Sequence, residues 1–200
     1  MEIEVYLLDL LGTFTFASYG AFLALKHKYD LFGVLLIGAI TALGGGAFRE
    51  LVIGDMPEFF NDLAYSAAVA TGVAFTIIAR KTYNVSSQLF VALDSLGLVV
   101  FAFVGAERAV ELNLGLVGIV FAATSTAVGG GIMRDVILNQ KPEVMYRGFY
   151  ASVAFLLGTA YFAMQHISPG LLQANILIFV FLLVRFWALQ KNIHLWKPKV

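Results

Sequence analysis

Two arginines and four carboxylates sit within stretches of sequence that are otherwise apolar. Arg49-Glu50 follows the triplet Gly44-Gly45-Gly46, and Arg134-Asp135 follows Gly129-Gly130-Gly131. Asp9 and Asp94 interrupt two further apolar runs. Such groups can pair with one another, contact a passing ion, or gate a polar path. No nucleophile–base arrangement accompanies them, so an enzymatic function is not expected. His27, His166 and His194 lack ligand spacing, so neither a metal nor a cofactor is expected. A phosphate-binding loop would need a preceding strand and a Walker or dinucleotide spacing, and neither is present.

Insertion scales put the cost of an ionisable side chain at the bilayer centre at roughly 2.5–3.5 kcal/mol. Residues of this kind pair or face water. Each arginine follows its last glycine by three residues, which on a helix sets it on the same face as the triplet. Neighbours in sequence point apart on a helix, so neither arginine is expected to pair simply with the acid beside it. Matching depth instead suggests two symmetry-related ion pairs, Asp9–Arg49 and Asp94–Arg134. These either lock helices together or line and gate a path. Thr41, Ser95, Thr124, Ser125 and Thr126 could lend hydroxyls to that path; bonding back to their own helix is the alternative.

A single glycine in an apolar helix serves close packing. Three in a row each forgo about 1 kcal/mol of helix propensity relative to alanine. They also permit unwinding or a kink that bares backbone carbonyls. Irregular backbone at membrane depth persists only where it is buried in protein or lines a water-filled cavity. The triplets therefore predict a polar path where they meet.

The elements that must carry these residues follow from composition. Of 200 residues, 60% are hydrophobic and 13% charged, against about 25% charged in soluble domains. The solvent of this chain is lipid. Formal net charge is zero and there is no cysteine, so nucleic acid is not an expected partner and disulfides are excluded. The chain opens on acidic MEIEVYLLDL rather than a basic segment, so its first apolar stretch is expected to remain as a span. Seven spans of about 20 residues are predicted, at 5–25, 31–54, 61–79, 88–106, 115–139, 146–165 and 169–190. Ser168-Pro169 reads as a helix start. The stretch from Asn84 to Ser87 reads as a polar break. Pro57 and Pro142 follow the glycine-bearing spans.

With seven spans, Lys26, Lys28, Arg80, Lys81, Lys141, Arg147, Lys191, Lys197 and Lys199 fall on one side. Glu2, Glu4, Asp55, Glu58, Asp62, Glu107 and Glu111 fall on the other, with Arg108 as its one clear cation. The positive-inside rule then places the N-terminus outside and the C-terminus in the cytoplasm. Phe59-Phe60, Tyr146, Phe149-Tyr150, Trp187 and Trp196 suit interfacial belts.

The chain is also duplicated. Asp9, Gly12, Phe16, Gly20, Gly44, Arg49, Pro57 and Glu58 recur 85 residues later, and Leu8–Ala21 matches Leu93–Ala106 at 8 of 14 positions without a gap. Three spans per copy is an odd number, so the second copy enters the membrane from the opposite side. The expected organisation is a first three-helix repeat over 1–84, an inverted second over 85–166, and a seventh helix with a basic tail over 167–200.

These segments, GGGxxRE…PE and GGGxxRD…PE on the second and fifth of seven spans, resemble the prokaryotic trimeric intracellular cation channels. That family overlaps bacterial membrane proteins described as glycine transporters. The resemblance covers essentially the whole chain. It implies an all-α membrane fold of seven helices per protomer, kinked at the glycines of the second and fifth, in a homotrimer. It implies a pore within each protomer, bounded by those two helices, that passes monovalent cations, potassium first and sodium second. Gly44, Gly45, Gly46, Gly129, Gly130 and Gly131 would be the kinks. Arg49 and Arg134 would be the charges beside the pore, with Asp9, Asp94, Glu50 and Asp135 available to neutralise them. Membrane lipids are the other expected partners. Inverted repeats serve alternating access equally well, so a secondary transporter for a small amphoteric solute such as glycine is the alternative.

Overall fold

The structure, a computed structural model, describes residues 3–82, 87–146, 148–164, 171–191 and 193. Ser168-Pro169, most of the 84–87 break, Arg147, His166, His194, Trp196, Lys197 and Lys199 lie outside the described residues.

Seven α-helices follow one another: α1 Ile3–Lys26, α2 Leu31–Ile53, α3 Leu63–Thr82, α4 Ser87–Glu111, α5 Leu116–Ile137, α6 Ala151–Met164 and α7 Leu171–Gln190. Short 3₁₀ turns at Glu58–Phe60 and Glu143–Met145 follow α2 and α5. Among the described residues, the first five helices are long and apolar enough to cross a membrane, while Ala151–Met164 and Ala174–Gln190 are shorter apolar helices. The sequence sets the ends of α2. Asp30 caps its start by accepting from the Gly33 amide at 2.8 Å, which satisfies one of the free N–H groups of the first turn. Gly54 closes it in the left-handed region at φ 88°, where a side chain would be strained.

The sixth helix begins later than the predicted 146. Tyr146, Phe149 and Tyr150 stand in turns, Phe149 at φ 59°. Aromatic residues make this stretch look like a span, yet α6 starts only at Ala151.

Packing repeats with the sequence. α1 packs against α2 and α3, as α4 packs against α5 and α6; the two units meet through α1–α4 and α2–α5, and α7 lies on α4 and α6. At the α1–α4 contact, the rings of Phe16 and Phe101 cross edge-to-face at 5.0 Å. Gly12 makes room for Phe101, and Gly97 for Phe16. At the α2–α5 contact, a methyl on Gly45 would overlap the Thr126 carbonyl, and one on Gly130 would overlap the Thr41 carbonyl. Each of these contacts becomes its partner when both numbers shift by 85. Between apolar helices in lipid, close backbone approach is the main source of association.

Hydrogen-bonded helix runs unbroken through both triplets. The unwinding with bared carbonyls is absent, and any bend there lies within continuous helix. The reason is the close crossing itself. Without side chains at Gly44, Gly45, Gly129 and Gly130 the two backbones touch, and contact offsets the lost propensity.

Candidate functional site

A cavity opens beside the α2–α5 crossing. Its walls come from α1 (Asp9, Thr13), α2 (Gly46, Arg49, Glu50), α4 (Glu107, Arg108, Glu111), Thr126 of α5, and Glu58 and Tyr65 beyond α2. It measures about 40 Å³, where one water needs roughly 10–15 Å³.

Ion pairs inside it differ from the expected ones. Arg49 donates to Glu50 Oε1 from Nε at 2.9 Å and from Nη2 at 2.7 Å. Its Nη1 reaches the Thr126 hydroxyl at 3.4 Å. Arg108 divides its guanidinium among three acids: Glu50 at 3.3 Å, Glu111 at 3.0 Å and Asp55 at 2.6 Å. Asp9 accepts from the Tyr65 hydroxyl at 2.8 Å, which also lies 3.2 Å from Glu58.

The same plan appears 85 residues on. Arg134, 1% exposed, pairs with Asp135 at 2.7 Å and approaches Glu143 at 3.8 Å. Asp94 accepts from the Tyr150 hydroxyl at 2.9 Å. Here aromatic rings crowd the cluster. Tyr19 bonds Glu143 at 3.1 Å and lies under the Arg134 guanidinium at 4.9 Å. Phe22 stacks on Phe90 with ring centres 4.3 Å apart, and Lys26 and Arg80 sit over Phe22. From α7, outside the duplication, the buried Arg185 covers the Tyr150 ring at 4.8 Å.

Two sequence expectations are therefore corrected. Asp9–Arg49 and Asp94–Arg134 are not ion pairs among the described residues; the arginines pair with Glu50 and Asp135 instead. The i,i+1 rule describes where Cβ atoms point. A long guanidinium can curl round the helix, and each arginine is buried together with the carboxylate next to it. The aspartates are taken by tyrosine hydroxyls.

Of the hydroxyls, Thr41, Ser95, Ser125 and Thr126 all bond back to carbonyls of their own helices. Thr126 alone of these also lines the cavity. Thr124 is not on the cavity wall. Gly46 faces the cavity, and Gly44, Gly45, Gly129 and Gly130 make the helix contact. Gly131 lies 3.8 Å from Arg134 by its notional Cβ. Sequence reasoning missed Tyr65 and Tyr150, although they also stand 85 apart, and missed Thr13, Tyr19 and Phe22, which have no equivalent of like chemistry in the other repeat. Among the described residues, no group of three or more His, Asp or Glu is arranged around a metal.

The profile of the family described as Glycine transporter matches this chain twice, over residues 6–81 and 91–166. The two matches start 85 residues apart, the interval of the internal repeat. A UPF0126 membrane protein of Deinococcus radiodurans is 40% identical over 172 residues, covering 84% of this chain and 80% of its own. The UPF0126 inner membrane protein YadS of Escherichia coli is 33% identical over 200 residues, covering 96% and 94%. Among solved structures, one that explains conductance through TRIC cation channels superimposes with a TM-score of 0.86 at 30% identity, over 100% of this chain and 98% of that one. The TRIC trimeric intracellular cation channel orthologue of Rhodobacter sphaeroides gives 0.86 at 29% identity, over 96% and 100%. An apolar seven-helix chain with a doubled glycine–arginine motif, matched end to end in this way, is an integral membrane protein of the bacterial TRIC cation channel family, whose sequence profile carries the name Glycine transporter.

Proposed function

We propose that this protein is a cation channel. It conducts monovalent cations, potassium foremost, along a path within each protomer that is bounded by α2 and α5, and it works as a homotrimer. One observation carries the reading. The cavity presents five carboxylates (Asp9, Glu50, Glu58, Glu107 and Glu111) against two guanidiniums, Arg49 and Arg108. A cleft with low-dielectric walls and an excess of one sign concentrates the opposite ion. The arginines do not repel the cation outright, because Arg49 is paired with Glu50 and Arg108 shares Glu50 with Glu111 and Asp55. Kinship with solved cation channels supports the same reading.

The path passes beside the α2–α5 crossing, where Gly45 and Gly130 leave no space between the backbones. The two halves thread the bilayer in opposite senses. The acidic cavity faces outward with the N-terminus, and the basic loops face the cytoplasm.

Planar-bilayer recording of the purified protein tests this. Discrete unitary currents that reverse near the potassium equilibrium potential are expected in a potassium gradient, with no chloride contribution. Silent bilayers, together with saturable glycine uptake in liposomes, would replace the channel with a carrier.

A further inference from the structure

We propose that Arg108 is a specificity-determining residue of the channel. Its guanidinium takes the place among the acids at the cavity that a divalent cation would otherwise fill, and so keeps such ions from plugging the path. The inference deepens the channel reading and rests on it.

The contacts carry it. Each nitrogen of the Arg108 guanidinium meets a different carboxylate: Nε meets Glu50 at 3.3 Å, Nη1 meets Glu111 at 3.0 Å and Nη2 meets Asp55 at 2.6 Å. The acids come from two places in the chain. Glu50 lies in the last turn of α2 and Asp55 just beyond it, whereas Glu111 ends α4. Three carboxylates thus close around one fixed positive charge. Among the described residues, no three acids are grouped to hold a metal as they stand; the guanidinium is at their centre. The cluster is also open to ions, since the side chains of Arg108, Asp55 and Glu111 are 21%, 51% and 31% exposed.

The second repeat lacks the arrangement altogether. Shifted by 85, Asp55 becomes Gln140, Glu111 becomes Lys26 and Arg108 becomes Leu23. The arginine accompanies the additional acids and is missing where they are missing.

Electrostatics says why such a residue is needed. Five carboxylates against two guanidiniums leave the cavity lining formally three charges negative. A negative cleft concentrates cations, and its pull on an ion scales with that ion's charge. Carboxylate oxygens are moreover the ligands that calcium prefers, about six to eight at a time. A mouth acidic enough to gather potassium therefore invites calcium to stay. A tethered guanidinium repels a doubly charged ion twice as strongly as a singly charged one. Its fork also engages the very oxygens that the divalent ion would require.

Calcium titrated against unitary potassium currents is the test, added to each bath in turn. Arg108→Gln removes the charge and leaves Glu50 to Arg49. Calcium should block it from one bath, at a half-blocking concentration about tenfold below that of the native protein, the ratio for a change near 1.4 kcal/mol. Arg108→Lys keeps the charge and should stay close to native. Adding Asp55→Asn to Arg108→Gln should restore most of the tolerance, because one acid of the cluster is then neutral. Should Arg108→Gln fail to assemble, Arg108→Met, which keeps an unbranched stem, takes its place in each comparison. A second readout needs no current: in calorimetry of the purified protein, calcium should bind the Arg108→Gln variant more tightly than the native protein by the same factor. Equal calcium sensitivity and equal calcium binding in the two proteins overturn the proposal and leave Arg108 a lock between helices. The two readings fail separately. Potassium currents that respond to calcium alike in every variant remove the role of Arg108 and leave the channel. Calcium binding strengthened in Arg108→Gln, in a protein that carries no current, keeps the exclusion of calcium and removes the channel.

Discussion

The cavity at Asp9, Arg49 and Glu50 and the cluster at Asp94, Arg134 and Asp135 share one plan. In each, an arginine is paired to the next residue and an aspartate is held by a tyrosine at the start of the third helix of its repeat, Tyr65 within α3 and Tyr150 just before α6. They diverge in what the other repeat brings to them. α4 offers the first cluster Val104, Glu107, Arg108 and Glu111. α1 offers the second, at the equivalent positions, Tyr19, Phe22, Leu23 and Lys26. Acids are replaced by an aromatic ring and a lysine. One cluster keeps a polar mouth, and the other is filled by the Tyr19–Phe22–Phe90 stack. The framework residues are alike in the two copies, and the positions that set the clusters apart lie on the central helices α1 and α4.

The largest expected effect tests that contrast directly. Removing Arg134 leaves Asp135 and Glu143 facing each other in a site where the arginine is 1% exposed. Breaking a buried pair on one side costs about 3–5 kcal/mol. Arg134→Met should therefore sharply lower the melting temperature in detergent. Arg49→Met should cost clearly less, since Arg108 still reaches Glu50 at 3.3 Å and water can enter. Equal losses in the two variants would erase the distinction between a dry cluster and a wet one.

Next in size are the glycines, where the halves should behave alike. A leucine at Gly45 or Gly130 drives into the carbonyl of Thr126 or Thr41, which cannot move aside as a side chain could. Overpacking of this kind typically costs about 1–3 kcal/mol, and both variants should lose folded protein to similar degrees in size-exclusion chromatography. A methyl on Gly46 meets nothing within 4 Å. Gly46→Ala should hold or raise stability, by up to about 1 kcal/mol of helix propensity.

Removing the tyrosine hydroxyls gives a smaller and unequal pair of effects. Tyr150→Phe strips a donor from Asp94, which is 0% exposed, so a penalty of about 1–3 kcal/mol follows from an acceptor left short. Tyr65→Phe strips the same donor from Asp9 on the cavity wall. Water can replace it there, and the melting temperature should fall less. A larger fall for Tyr65→Phe would place the dry side at the wrong end.

Much of the framework was legible in the sequence because it depends on composition and on an exact interval. Seven apolar stretches, the offset of 85 and the doubled glycine–arginine motif need no side-chain geometry. What escaped depends on reach and on companions distant in sequence. Cβ direction gave the wrong partner for Arg49, because a guanidinium on four rotatable bonds can fold back to Glu50. Tyr150 looked like an interfacial aromatic and Tyr65 drew no reading, until the fold placed each beside an aspartate 56 residues away. Gly45 and Gly130 signalled something costly at both triplets. The sequence suggested unwinding or a kink; helix continues through both triplets, which lie in close contact, since propensity alone cannot tell a gap from a close approach. Phe22 carried no signal at all, being one phenylalanine among 18. Only its equivalence with Glu107 exposes it.

That equivalence yields the last and smallest prediction. Phe22 stacks on Phe90 at 4.3 Å and 6°, a contact worth about 0.5–1.5 kcal/mol beyond the area it buries. Lys26 and Arg80 lie 5.1 and 5.4 Å from its ring centre, so a carboxylate placed there has two cations beside it. Phe22→Glu installs the residue that the wet cluster has at Glu107. It should loosen the stack without leaving a buried charge alone. If the stack closes that side of the path, the open population should rise by about two- to tenfold, the factor that matches that energy, read as open probability in single-channel records. Phe90→Ala should move it in the same direction, because it removes the other half of the stack. Unchanged open probability in both variants, with normal conductance, would mean the filled cluster is a structural seal away from the ion's route, and the asymmetry between the halves would then concern stability alone.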